Sequence, residues 1–472
     1  MAVDRILTGV GAQDIEAFLR LLQKHFGTYF TVDYLPQKTM HAASTRTKEI
    51  TDMPPTITWY PFVDYPEADS CWSLSTGPDG RVYAAACCEG LPGGIAKISR
   101  YNRETDRLDF LLDMGEATDD LPESRRATQC KIHYSFAPSP EDDILYMATH
   151  LSGPPIDLPR YSPWHFWNDP VHCFRGAALV AYDTKREETL WWDTIFPKEG
   201  CRCMLHDPDR RRLYALSYPR DHLWVYDLKK RTSRDLGRIG SVNAQALFLD
   251  GRGRVWTSSD DGRLVRYDPE TDRLTRSPYI LPHDERNQTG WHSVLYDAVA
   301  HPVEPCVYGV TWIAGPRLFR LWTDEGEWGR LEDLGQATQE RDLSVPMDTF
   351  TDHAGGLVFA RDGMLYYTAS RWTNPNARWD MPAESGAGRK NTRQLEGVLR
   401  RLDHETLERE DVGVFERPEG ISNYMSRGAI DSEGDLFFGM VNHSQKPNGV
   451  FRVELPRERK QGRVDVPLRM WG

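Results

Sequence analysis

The chain has 472 residues, a net charge of −12 and 39% hydrophobic residues, with 15 Trp, 20 Tyr, 37 Gly and 31 Pro. An acidic balance without a basic stripe argues against a nucleic-acid partner, and the absence of any apolar run of about 18 residues argues against a membrane span. Abundant aromatics, glycines and prolines fit many short strands joined by turns better than a helical protein.

The first residues, Met1-Ala2-Val3-Asp4-Arg5, lack the apolar core of a signal peptide. The expected location is cytoplasmic, or extracellular if a leader has been trimmed. Residues 11–26 space Ile15, Phe18, Leu19 and Leu22 as one helical face behind Asp14, a helix start signal. That makes one amphipathic helix in an N-terminal extension, residues 1–55, serving either a dimer contact or a cap. A monomer or weak homodimer is expected.

From residue 56 to 472 a repeat appears. Its unit is a short strand, a Gly/Asp/Pro turn, a second strand, a third strand of the form LxxYD, a charged turn and a fourth strand. Tyr101, Tyr182-Asp183, Tyr226-Asp227 and Tyr267-Asp268 mark four third strands. More degenerate ones end at Leu321, at Leu402-Asp403 and at Val453-Glu454, making seven. The hairpin turns recur in step: Pro78-Asp79-Gly80, Asp207-Pro208-Asp209, Asp250-Gly251-Arg252-Gly253, Arg361-Asp362-Gly363 and Ser432-Glu433-Gly434. Four strands per unit at roughly 40–50 residues is the period of a β-propeller. The expected fold is all-β, a seven-bladed β-propeller with a short N-terminal helical extension. Strands near Ile57 to Phe62 and near Val464 to Leu468 are expected to share the closing blade.

Eight cysteines (71, 87, 88, 130, 173, 201, 203 and 306) show no paired CxxC spacing. Cys71 and Cys87 flank the Pro78-Asp79-Gly80 turn symmetrically and read as reduced buried thiols, with a disulfide or a metal pair as the alternatives.

Two units are longer than the rest, with their excess at 151–176 and 371–395, after the second strand of each. Both insertions should rise on one face of the ring, and long loops over one face of a rigid scaffold mark a binding site. On that face the hairpin Lys131 to His150 brings two imidazoles together. Its register sets His133 opposite His150, with Cβ atoms ~5 Å apart. Arg202 and Tyr218 flank the next turn in the same way, with Arg220 beyond. The rest of the rim offers Trp72, Glu89, Gln245, His292, Arg371, Tyr424 and Arg427, and the first insertion adds Trp164 and His165.

This set suits β-elimination from a uronic acid. An Arg fork neutralises the carboxylate, a neutral base takes the α-proton and an acid protonates the leaving oxygen. Arg202 would clamp the carboxylate, while His133, His150 and Tyr218 divide the acid and base roles. The remaining rim residues would bind substrate, an anionic oligosaccharide or polysaccharide. No cofactor is required and no metal-ligand spacing is recognisable; whether a structural Ca2+ sits in the central tunnel stays open. The alternatives are a propeller glycoside hydrolase, a metal-dependent lactonase or lyase, and a non-catalytic glycan- or protein-binding propeller.

The ring, with two histidines on the second unit and an Arg/Tyr pair on the third, resembles the β-propeller polysaccharide lyases. These include ulvan lyases and enzymes that remove rhamnose from glucuronic acid. The resemblance spans about residues 57–470 as architecture and is specific at KIHYSF…MATH and CRCMLHDPDRRRLYALSY. It implies that His133 and His150 hold the family's histidine positions. At the third unit the order departs from the family pattern, because Arg202 precedes Tyr218.

Overall fold

The computed structural model describes residues 53–460 apart from 152, 241–243, 285–291, 313–314, 339–352, 374–394, 423 and 442–445. The N-terminal helix and the strand near Val464 to Leu468 lie outside the described residues. Seven four-stranded antiparallel sheets form the propeller. Two short helices, Met114–Thr118 and Arg457–Lys460, are found among the described residues.

Blade 1 runs through Leu74–Thr76, Val82–Ala86, Lys97–Asn102 and Arg107–Asp113; blade 2 through Phe136–Ser139, Ile144–Ala148, Gly176–Asp183 and Glu188–Pro197. Blade 3 comprises Gly200–Asp207, Arg212–Tyr218, His222–Asp227 and Thr232–Arg238, and blade 4 Phe248–Leu249, Val255–Ser258, Arg263–Asp268 and Arg273–Ile280. Blade 5 holds Val294–Ala300, Cys306–Trp312, Arg317–Trp322 and Arg330–Gln336, and blade 6 Ala354–Phe359, Leu365–Trp372, Leu395–Leu402 and Arg409–Val414. In blade 7, Met425–Ile430, Leu436–Met440 and Gly449–Glu454 are completed by Thr56–Pro61, which pairs antiparallel with Gly449–Glu454. An early strand and a late one therefore close the ring, and no blade is left with a missing outer strand.

Strand sequence follows position in the blade. Second strands such as VYAAA in blade 1 are buried throughout, because each is covered on both faces by neighbouring blades. Outer strands such as TSRDLGR in blade 3 are largely exposed. The recurrent turn has a local cause. Asp79 Oδ1 accepts from Arg81 N (3.1 Å) while Tyr83 OH donates to Asp79 Oδ2 (3.0 Å). Asp362 repeats this with Met364 N (3.0 Å) and Tyr366 OH (2.9 Å). One carboxylate thus closes the turn and holds the first aromatic of the next strand. The YD aspartates do the same for the outer hairpin: Asp183 Oδ1 accepts from Lys185 N and Arg186 N, both at 2.9 Å.

The first insertion leaves blade 2 between its second and third strands, as expected; most of the second lies outside the described residues. All eight cysteines are free. Cys71 and Cys87 are buried, each with its Sγ 3.6 Å from a nearby carbonyl, of Ser73 and Ala85 respectively.

Candidate functional site

The hairpin of blade 2 departs from a straight ladder where it matters. Phe136 pairs with Met147, but the next bridge toward the open end joins His150 to Lys131, not to His133. The extra residues form a bulge in which Tyr134 takes φ 40°, and a bulge re-aims the side chains it carries. The expected opposition of His133 and His150 is corrected accordingly: they are neighbours, with ring centroids 5.2 Å apart, but not register partners. Lys131 takes the place across from His150.

These residues open into a cavity of about 360 Å³ that collects side chains from blades 1, 2, 3 and 5 and from the segments before blades 4 and 7. One wall is a column of planar groups. Trp72 stacks on His133 at 4.8 Å, His133 lies beside His150, His150 stacks on Tyr218 at 4.7 Å, and the Arg202 guanidinium covers Tyr218 at 4.6 Å. Lys131 Nζ lies 4.2 Å from the Trp72 ring and 3.0 Å from Glu89 Oε2. Glu89 is held in turn by Trp72 Nε1 (2.5 Å) and Ser70 Oγ (3.0 Å). Leu151, Gln245, Tyr296, Trp312, Tyr424 and, from the first insertion, Pro163 complete the lining.

The Nδ1 of His133 lies 2.7 Å from the carbonyl oxygen of Arg202. A carbonyl only accepts, so Nδ1 carries the proton and Nε2 keeps its lone pair. Burial, then the charge of Lys131, the neighbouring His150 and the charge of Arg202 push the His133 pKa well below the ordinary imidazole value. Burial, Lys131 and Arg202 do the same to His150, both of whose ring nitrogens are buried without a hydrogen-bond partner. Both imidazoles are neutral at pH 7. Arg202 is itself buried, and its Nε has no hydrogen-bond partner. The largest opposing charge it feels is Asp221, whose carboxyl burial raises to about 7.

His133, His150, Arg202, Tyr218, Trp72, Glu89, Gln245 and Tyr424 are therefore brought together around one cavity. Six other expected site residues are placed elsewhere. Arg427 is buried below the cavity, ion-paired with Asp297 and lying over the Tyr134 ring at 4.1 Å. Arg220 is bound to Glu199, with its Nε at 2.7 Å, and lies 5.2 Å from the Trp167 ring, where it braces the insertion. Arg371 pairs with Glu396 (2.7 Å) and Asp411 (3.1 Å) within blade 6. Each guanidinium is engaged by a carboxylate from another segment. His292 and His165 are exposed and neither lines the cavity; Trp164, 59% exposed, packs on Trp167 next to Pro163. Five lining residues were not anticipated as site residues: Lys131, Leu151, Pro163, Tyr296 and Trp312. Lys131 heads the hairpin in the sequence, but only the bulge turns it into the cavity.

Among the described residues no group of three or more His, Cys, Asp or Glu side chains is arranged to hold a metal ion, and no helix is long and apolar enough to cross a membrane. The axial carboxylate of Asp297 already has a cation in Arg427.

No family model matches the chain, and no curated protein does. Solved structures do. A fungal alcohol oxidase of the AA5 family, in complex with copper, aligns with TM-score 0.53 and 11% identity over 86% of this chain and 76% of its own. The WD40 repeats of RRP9 align at 0.52 and 10%, over 86% of this chain and 100% of theirs. The extracellular domain of a protein described as a one-component system of B. thetaiotaomicron aligns at 0.52 and 12%; the alignment covers 84% of this chain and 40% of that longer one. At such identities the likeness is one of fold alone, shared by an oxidase, a set of WD40 repeats and an extracellular domain.

Proposed function

We propose that this protein is a carbohydrate lyase that cleaves a glycosidic bond to a uronic acid by β-elimination. The observation that carries the reading is the His133 imidazole. It is neutral, its tautomer is set by the Arg202 carbonyl, and it lines the cavity with two cationic side chains, Arg202 and Lys131. In this reading those cations receive the substrate carboxylate and stabilise the charge that grows on it as the α-proton leaves. Binding the carboxylate also neutralises the charges that depress the His133 pKa, so the base strengthens when substrate is in place. Nε2 takes the C5 proton; the C4–O bond breaks as the C4–C5 double bond forms. Trp72, Trp312 and the tyrosines offer apolar faces to a sugar ring. Proton return to the leaving oxygen falls to a tyrosine hydroxyl, of which Tyr218 and Tyr424 line the cavity.

The test is incubation with uronate-containing glycans, including ulvan and rhamnose-capped glucuronides, followed by ultraviolet absorbance of unsaturated uronate. Absorbance should rise with the wild type, and His133→Ala should slow it by about 10²–10⁴-fold. Sugar released without absorbance would assign the cavity to hydrolysis. Binding without turnover would assign it to glycan recognition.

A further inference from the structure

From the wall of the cavity downward three tyrosines, half-buried Tyr424 and buried Tyr296 and Tyr134, bond to one another rather than to backbone carbonyls. Tyr424 OH lies 2.6 Å from Tyr296 OH, and Tyr296 OH lies 2.5 Å from Tyr134 OH. The chain has two ends. Tyr424 and Tyr296 line the cavity that holds His133 and Arg202. Tyr134 lines a second, smaller cavity of about 40 Å³ lower on the propeller axis, together with Arg427 and Asp297. A phenol hydroxyl both donates and accepts, so a continuous row of three can pass a proton by reorienting each link. At the far end the Arg427 guanidinium, ion-paired with Asp297, lies over the Tyr134 ring at 4.1 Å.

We propose that Tyr424, Tyr296 and Tyr134 form a proton relay through the propeller axis, with Tyr424 as the acid that protonates the leaving oxygen. The proposal rests on the β-elimination reading above. As the C4–O bond breaks, its electron pair stays on the departing oxygen, which takes the Tyr424 hydroxyl proton. Tyr424 recovers a proton from Tyr296, and Tyr296 from Tyr134. The phenolate left on Tyr134 faces Arg427 and is reprotonated by water reaching the lower cavity, while His133 releases the C5 proton to water. One proton leaves the substrate and one enters the departing alcohol, so the cycle balances. Burial raises the pKa of all three phenols, which keeps the row fully protonated at rest. Tyr218 has no such supply: it lies in the stacked wall between His150 and Arg202.

The experiment compares two probes, a glucuronate bearing a sugar at O4 and a glucuronate bearing 4-nitrophenol at O4, whose anion departs without protonation. Tyr296→Phe keeps the ring and cuts the chain. It should lower kcat at least tenfold more on the sugar-leaving probe than on the nitrophenol probe, with KM little changed, and Tyr424→Phe should show the same asymmetry. His133→Ala should lose both reactions equally. Equal losses on the two probes in Tyr296→Phe, with an unaltered melting temperature, would overturn the relay and leave the lyase standing. A wild type that eliminates from neither probe would overturn the lyase reading itself, and the relay with it.

Discussion

A buried imidazole works as a base only if the right nitrogen is free and the proton stays off it, and His133 meets both conditions, the first through the distant Arg202 carbonyl and the second through burial and the nearby Lys131 charge. Its pKa lies well below the usual imidazole value, so the acid limb of kcat/KM, which reports the unliganded protein, should fall below pH 6.5. A limb at or above 6.5 in a pH–rate profile would place the base elsewhere. Lys131 is the second residue to probe. Lys131→Met removes the cation that pairs with Glu89 at 3.0 Å and one of the two cationic side chains that line the cavity. Affinity for glucuronate, read by calorimetry, should drop at least tenfold, and stability should drop by about 1–2 kcal/mol, less than for a fully buried pair that loses one partner. His133, His150, Arg202 and Tyr218 were legible in the sequence because two symmetric hairpins carry them to one mouth. Lys131 was hidden by a bulge that no residue pattern announces. Arg427, Arg220 and Arg371 were misplaced because a sequence does not show which guanidinium meets a carboxylate from another segment.

The same carboxylate chemistry recurs at nearly every hairpin, and this made the blades readable. Aspartate in the inner turn binds the turn N–H and a tyrosine hydroxyl, so the turn residues and the next strand must recur as a unit. Blades 5, 6 and 7 were more degenerate in sequence because their third strands, Arg317–Trp322, Leu395–Leu402 and Gly449–Glu454, end without the YD pair. Asp362→Ala removes the Met364 and Tyr366 bonds and the Arg459 ion pair at 3.0 Å together. A loss of about 2 kcal/mol in urea unfolding is expected. A glycine pair separates fit from flexibility. A Cβ at Gly449 would lie 2.2 Å from the Tyr60 carbonyl oxygen across the closing ladder, whereas one at Gly251 would meet nothing within 4 Å. Gly449→Ala should cost about 3 kcal/mol through backbone displacement, and Gly251→Ala should be nearly neutral.

The molecule as a whole should weaken in acid. His133 and His150 are held neutral by burial, His301 is lowered to about 4 and His353 to about 3. Each binds its proton more readily when unfolded, so stability is full above the unfolded value of roughly 6.5 and declines as pH falls toward the folded values. Melting temperatures measured from pH 7 to pH 4 should decrease steadily, and a flat profile would contradict the burial of these rings. Closure of the ring by Thr56–Pro61 against Gly449–Glu454 has a consequence for how the protein is made. A ribosome extrudes the first of these strands long before it has synthesised the second. For nearly the whole of translation the nascent chain holds an open fan of blades with two bare hydrogen-bonding edges, one at the front and one still growing. The last blade is a lock whose halves arrive at opposite times, so a stalled or truncated product cannot close and is the species that chaperones and proteases would meet.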